Sequence, residues 1–382
     1  MRRAEQLVSS IRASYLARTL DAWRGYEREF LIELVRGLDE ASFAFTLAPN
    51  RDQLIRNDEA RHFIMAGAAS ALRPFLRVLQ DVSNGVPWRS TSPEFSAVAD
   101  RHLINCGRLA VVQRYAAMER HGLAESTFLS EDHLILEVAS SNDDDEERRA
   151  SAWLSYSARQ RLSAIEGQLA ARKQEMALGI DRYARVQDGW FLRYEPDEDT
   201  TAYYRHLAEI YSAGTAEANA LPEDTLLGGR TFRSWNALSI TAYGRVLHHI
   251  ACATRLMATR PNLELRNLLT AFAHKEDVKA LWQQAGESAS SADQVVAGLS
   301  LNADTAAICE HNHEQPLPYY IEFGRNFVLL PIFGGMLNAS AGLTWHLRAA
   351  FRRDWDKAVD GRERVFRKRP ANAFSGVERW NL

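Results

Sequence analysis

Lysine, cysteine and proline are scarce in this sequence. Only five of its 46 basic residues are lysine, a bias that fits a G- and C-rich genome and a bacterial-type source more than any one function. The three cysteines, Cys106, Cys252 and Cys309, are odd in number and far apart. Without a C-x-x-C pair they read as reduced thiols of a cytoplasmic protein, not as a disulfide framework. Eleven prolines in 382 residues leave long stretches free of helix breakers. The longest apolar run, FVLLPIFGGML, is about half of a bilayer span and contains Pro331, so no membrane crossing is expected. The opening MRRAEQLVSSIRASYLARTL meets charge too early and too often to supply the apolar segment of an export signal. A formal net charge of −3 excludes a surface that is basic throughout and leaves polyanion binding to local patches.

Familiar catalytic signatures are missing too. There is no phosphate-binding G-x-x-x-x-G-K-[ST], no H-E-x-x-H zinc helix and no G-x-S-x-G nucleophile elbow. No glutamate is followed two residues later by lysine, as the common restriction-type nuclease core requires. The nearest arrangement, Asp277-Val278-Lys279, lies in a helical context.

What is present is helical periodicity. Hydrophobic content of 46% and charged content of 25% are those of a globular protein, long enough for more than one domain. Leu16, Leu20, Trp23, Phe30 and Leu34 recur on one helical face, with arginines and glutamates on the other. Similar stripes run through Ala158, Leu162, Ile165 and Leu169, and through Trp235, Leu238, Ala242, Val246 and Ile250. The fold expected is mainly α: a multi-helix bundle-like array over residues 1–285, with sub-boundaries near 90, 143 and 197 where proline, glycine, serine and acid cluster. A smaller α+β region follows over 286–382. It holds a β-hairpin over 317–333, because Tyr319, Tyr320, Ile321 and Phe323, a Gly324-Arg325-Asn326 turn, and Phe327 to Leu330 favour paired strands. A lone hairpin is marginal in water, so it must be sandwiched by helices or joined to further strands.

Four groups of residues carry candidate chemistry. Cys309, His311 and His313 are ligand types suited to zinc; on an extended segment they share a face, and His248 and Cys252 in HHIAC are possible additional ligands. The bland alternative is a polar loop before Pro316 and Pro318. The stretch RNDEARH, Arg56 to His62, resembles the arginine, polar residue, histidine signature of the higher eukaryote and prokaryote nucleotide-binding (HEPN) ribonucleases, which are helical. The resemblance covers seven residues. It implies that Arg56 binds the scissile phosphate, with Asn57 beside it, and that His62 does acid–base chemistry on a 2′-hydroxyl. Read structurally, the same turn is an exposed one in which Asp58 and Glu59 pair with Arg61. The run NDDDEE, Asn142 to Glu147, is similar to the magnesium-diphosphate clusters of isoprenoid cyclases, yet Ala306 stands where a second cluster of Asn302 and Glu310 needs a hydroxyl. Capping by Ser141 or Asn142, with the acids at the positive end of a helix dipole, explains it better.

The C-terminal segment is locally basic: Leu343 to Arg369 has nine arginines and lysines against four acids. Arg348, Arg353, Lys357, Arg364 and Lys368 form a candidate nucleic-acid or partner-binding face, while Phe351, Trp355, Val359 and Phe366 make a core-facing stripe. Two functions follow. One is a non-enzymatic interaction or regulatory subunit of a bacterial-type cytoplasmic complex, with a protein partner or a second copy, contacting nucleic acid through the basic helix. The other is a helical ribonuclease using Arg56 and His62, or a metal-dependent hydrolase using Cys309, His311 and His313.

Overall fold

The computed structural model describes residues 6–9, 21–23, 26–46, 64, 71–72, 92–122, 124–130, 135–140, 172–213, 221–284, 288–301, 320–323, 327–330, 332 and 339–368. These residues are mainly helical, with small strand pairs. The long helices are α1 (Glu27–Thr46), α2 (Pro93–Arg120), α3 (Glu198–Ala213) and α4 (Phe232–Thr259). After them come α5 (Leu265–Leu269), α6 (Lys275–Gln284), α7 (Ala289–Leu299), α8 (Ala339–Ala350) and α9 (Arg352–Lys368). Local chemistry sets their starts. Pro93 opens α2, where its missing N–H costs nothing. Asp197 Oδ1 accepts from Thr200 N at 2.7 Å to cap α3, and Thr231 Oγ1 accepts from Ser234 N to cap α4. The stripe read from α4 is buried throughout: Trp235, Leu238, Ala242, Val246 and Ile250 are each at most 6% exposed. Among the described residues no helix is long and apolar enough to cross a membrane.

Strands also occur where helical periodicity was read. The first pair, β1 (Ala124–Ser130) with β2 (Ile135–Ser140), is antiparallel, as are β3 (Arg185–Gln187) with β4 (Phe191–Arg193) and β5 (Leu226–Leu227) with β6 (Arg230–Thr231). Each is a local hairpin; the strands β3 to β6, two or three residues each, are too short for a two-residue alternation to stand out among flanking helices, whereas β1 and β2 have seven and six residues.

The expected 317–333 hairpin forms from β9 (Tyr320–Phe323) and β10 (Phe327–Leu330), with Leu329 opposite Ile321. It joins two further strands, β7 (Ala271–His274) and β8 (Ser300–Leu301), in the order β7-β10-β9-β8. Side chains on successive strand residues point to opposite faces, and here both faces are covered. Tyr320, Val328, Leu330 and Ala271 enter the core built on α4, while Ile321 and Leu329 enter the core built on α1 and α2, with Phe272 packed against it. Burial on both sides explains why the hairpin reads as a continuous apolar run. The core and the sheet both cross residue 285.

Helix α1 departs from its amphipathic reading. Phe30 and Leu34 face the core as their spacing implies, but every residue from Phe30 to Asp39 is buried, including Glu33, Arg36 and Asp39. A buried charge needs a partner, and short helix α5 supplies one. Arg266 Nη1 lies 2.9 Å from Asp100 Oδ1 on α2 and 3.3 Å from Glu40 Oε2, while its Nη2 donates to the Glu33 carbonyl at 3.2 Å. Glu33 also accepts from Arg36 at 2.8 Å and from Ser96 at 3.0 Å. Just beyond α5, Thr270 Oγ1 donates to Asp39 Oδ2 at 2.5 Å.

The β5–β6 turn fixes the start of α9. Gly228 and Gly229 hold φ of +59° and +80°, a region open to glycine at little cost. A Cβ on Gly228 would sit 2.2 Å from the Phe351 ring, whereas one on Gly229 would meet nothing within 4 Å. Phe351 in turn packs on Trp235, with ring centroids 5.5 Å apart, and Trp235 Nε1 donates to the Leu227 carbonyl at 3.1 Å. Gly228→Ala is therefore expected to cost about 2 kcal/mol or more through strain plus overpacking, and Gly229→Ala about 1 kcal/mol through backbone strain alone. Thermal unfolding of the two variants measures the difference, and equal losses would contradict the Phe351 contact.

Candidate functional site

A cluster of titratable side chains forms where α3, α4, the helical segment 172–183 and the β3–β4 hairpin meet. Helix α4 contributes Arg245, His248, His249 and Cys252, the last three buried. Tyrosines arrive from three other places: Tyr183 at the end of segment 172–183, Tyr194 just after β4, and Tyr204 on α3. Close approach of α3 depends on Gly244, where a Cβ would lie 3.0 Å from the backbone of Tyr204 and Arg205. One turn on, the Tyr204 ring stacks on His248 with centroids 4.7 Å apart, and Tyr194 meets the same imidazole edge-on at 4.9 Å.

The hydrogen bonds assign the tautomer of His249. His249 Nε2 is 2.7 Å from the Leu268 carbonyl, which only accepts, so this nitrogen carries the proton. Nδ1 is then the acceptor for the Tyr194 hydroxyl at 3.0 Å. His248 Nε2 faces the Tyr183 hydroxyl at 2.7 Å and Cys252 Sγ at 3.4 Å. Both neighbours can donate or accept, so these contacts suit either neutral tautomer of the His248 ring. Arg245 lies 4.4 Å above the Tyr194 ring centroid, a cation over an aromatic face.

Burial sets the charge states. Desolvation lowers His248 to about 3 and His249 to about 4, and Arg245 pushes both the same way. For Cys252, desolvation raises the thiol to about 12 against the pull of Arg245. The Tyr183 and Tyr204 hydroxyls are also raised by desolvation. The Cys252–His248 pair is therefore thiol and imidazole, the opposite of the thiolate–imidazolium pair that makes a cysteine a nucleophile. Helix α2 repeats the arrangement: Cys106 Sγ is 3.6 Å from His102 Nε2, with burial lowering the imidazole to about 4 and raising the thiol to about 12. Both His-x-x-x-Cys pairs are neutral packing motifs in the present fold. The sequence signalled this cluster only through HHIAC; its tyrosine partners lie 44 to 65 positions away along the chain.

The other sequence candidates divide in two. Arg56, Asn57 and His62, and Cys309, His311 and His313, lie outside the described residues, as does Asn142–Glu147. Among the described residues no group of three or more histidines, cysteines or acids is arranged to hold a metal ion. On the C-terminal helices, Arg348, Arg353 and Lys357 are exposed and enter no ion pair within the described residues. Trp355 is buried at 6% exposure, and Phe351, Ala358 and Val359 pack against the α4 core. Positions 364 and 368 fall within α9. No protein family, curated protein or solved structure matches this chain.

The neutral histidines give a pH dependence with a definite sign. Their folded pKa values lie below the ordinary value near 6.5, so the unfolded chain binds protons first. The stability they contribute is complete above about pH 6.5 and declines as pH falls through the window down to about 4 for His249 and about 3 for His248. Nitrogen-detected NMR of imidazole-labelled protein should show His249 as the Nε2–H tautomer with no titration above pH 5. A His249 resonance titrating near pH 6.5 would contradict the cluster.

Proposed function

We propose that this chain is an interaction or regulatory subunit of a bacterial-type cytoplasmic complex, docking nucleic acid through the outward side of its C-terminal helices. The observation that carries the reading is the division of α9: Trp355 and Val359 face the core while Arg353 and Lys357 stand exposed. Arg348 at the end of α8 adds a third exposed cation. Several other surface cations of the described residues are tied to acids: Arg172 to Glu175 and Asp199, Arg255 to Asp181, Arg233 to Glu223, and Lys279 to Glu276 and Asp293. Cations without such partners are free to neutralise phosphates and release counterions, a source of affinity that needs no concave pocket. Reduced Cys106 and Cys252 support the cytoplasmic part of the reading. The neutral, closed state of the α4 cluster gives the enzymatic alternative no nucleophile at that position.

The test is filter binding of a mixed pool of nucleic-acid fragments at low salt. The parent chain should retain the pool. Reversing three charges, Arg348→Glu with Arg353→Glu and Lys357→Glu, should weaken retention by at least tenfold while the helical circular-dichroism signal and melting temperature hold. Equal retention by parent and variant would refute the docking face.

A further inference from the structure

The orientation of α9 says more than that the face is basic. At about 100° per residue, positions 353, 357, 364 and 368 fall within an arc of about 60°, with positions 355 and 359 roughly opposite. By the same count three acids flank the arc, Asp360 about 20°, Asp354 about 40° and Asp356 about 60° outside it, and Asp356 and Asp360 are exposed. Along the axis the four basic positions extend over about 22 Å at 1.5 Å per residue. Single-stranded nucleic acid is bound chiefly by aromatic rings that stack on splayed bases, with cations tracking the backbone. Here the described aromatics of the region are turned away from the arc: Trp355 is buried, and Phe351 is held between Gly228 and Trp235. What the described side chains leave outward is Arg353 and Lys357, with positions 364 and 368 continuing their straight line along the helix. A straight row matches phosphates already fixed in space, and a flexible strand would first have to be ordered to meet it.

We infer that α9 binds the phosphate backbone of a nucleic-acid duplex, without base readout and in preference to single strands. This rests on the docking function proposed above and narrows its ligand. Phosphate contacts position a protein on a duplex and carry no sequence information directly, so sequence preference should be absent. With about five cations engaged, the logarithm of affinity should fall against the logarithm of salt concentration with a slope of about −4.5, close to a 500-fold loss between 50 and 200 mM salt.

The experiment is fluorescence anisotropy of the full chain against four labelled 30-residue probes: duplex DNA of two unrelated sequences, duplex RNA, and single-stranded DNA. The result expected is equal affinity for the two DNA duplexes, at least tenfold weaker binding of the single strand, and the slope given above. The RNA duplex distinguishes whether DNA or RNA phosphates are the better fit, and binding of either duplex above the single strand supports the inference. Arg353→Glu with Lys357→Glu should reduce the magnitude of the slope by about two, whereas the same charge change at Lys173 and Arg193 should leave it unaltered. Tighter binding of the single strand overturns duplex recognition while leaving nucleic-acid docking intact. Binding of none of the probes overturns both, and affinity for polyglutamate in that case identifies an acidic protein surface as the partner.

Discussion

Arg266 is the charge around which this fold is organised. It sits at 8% exposure on a five-residue helix and meets α1 and α2 at once, through Glu33, Glu40 and Asp100. A guanidinium with a planar fork of five donors can satisfy several acceptors from different directions. The residues that follow extend the same role. Leu268 offers its carbonyl to His249 on α4, Thr270 donates to Asp39 on α1, and Ala271 begins the strand that pairs with β10. Within ten residues the chain touches both cores and the sheet between them. Removing one partner from such a buried network leaves an uncompensated charge, which costs about 3–5 kcal/mol, far more than an exposed pair.

That organisation keeps polar side chains buried in a hydrogen-bonded form. The α4 histidines are neutral because four structural elements close over them, and each ring nitrogen named above has a hydrogen-bonding neighbour. Their effect is to specify one packing of α3 and segment 172–183 against α4, since a buried polar network satisfied in one arrangement penalises others. On α9 the aromatic side is committed to the core, while Arg353 and Lys357 stand exposed with Asp356 and Asp360 beside their arc.

Reading the sequence recovered the parts of this structure that are local. The α4 stripe and the two-sided apolar hairpin are visible because their periodicity is written into consecutive residues. So is the inward side of α9, where Phe351, Trp355 and Val359 recur at helical spacing. Partnerships across long separations left no such trace. Glu33 and Arg36 look like a solvated face until Arg266, 233 residues from Glu33, is placed beside them. Strand β7 is four residues, AFAH, with nothing to mark it except β10, more than fifty residues later. The spacing of His248 and Cys252 suits metal ligands, but their tyrosine neighbours, brought in from distant segments, pack against the pair.

Equilibrium unfolding of Arg266→Met, followed by native-state hydrogen exchange, tests the central role of this residue most directly. The account predicts a loss of about 3 kcal/mol or more, with the amides of α1 and α2 losing protection ahead of those of α4. A loss below about 1 kcal/mol, or uniform loss of protection across all three helices, would contradict it.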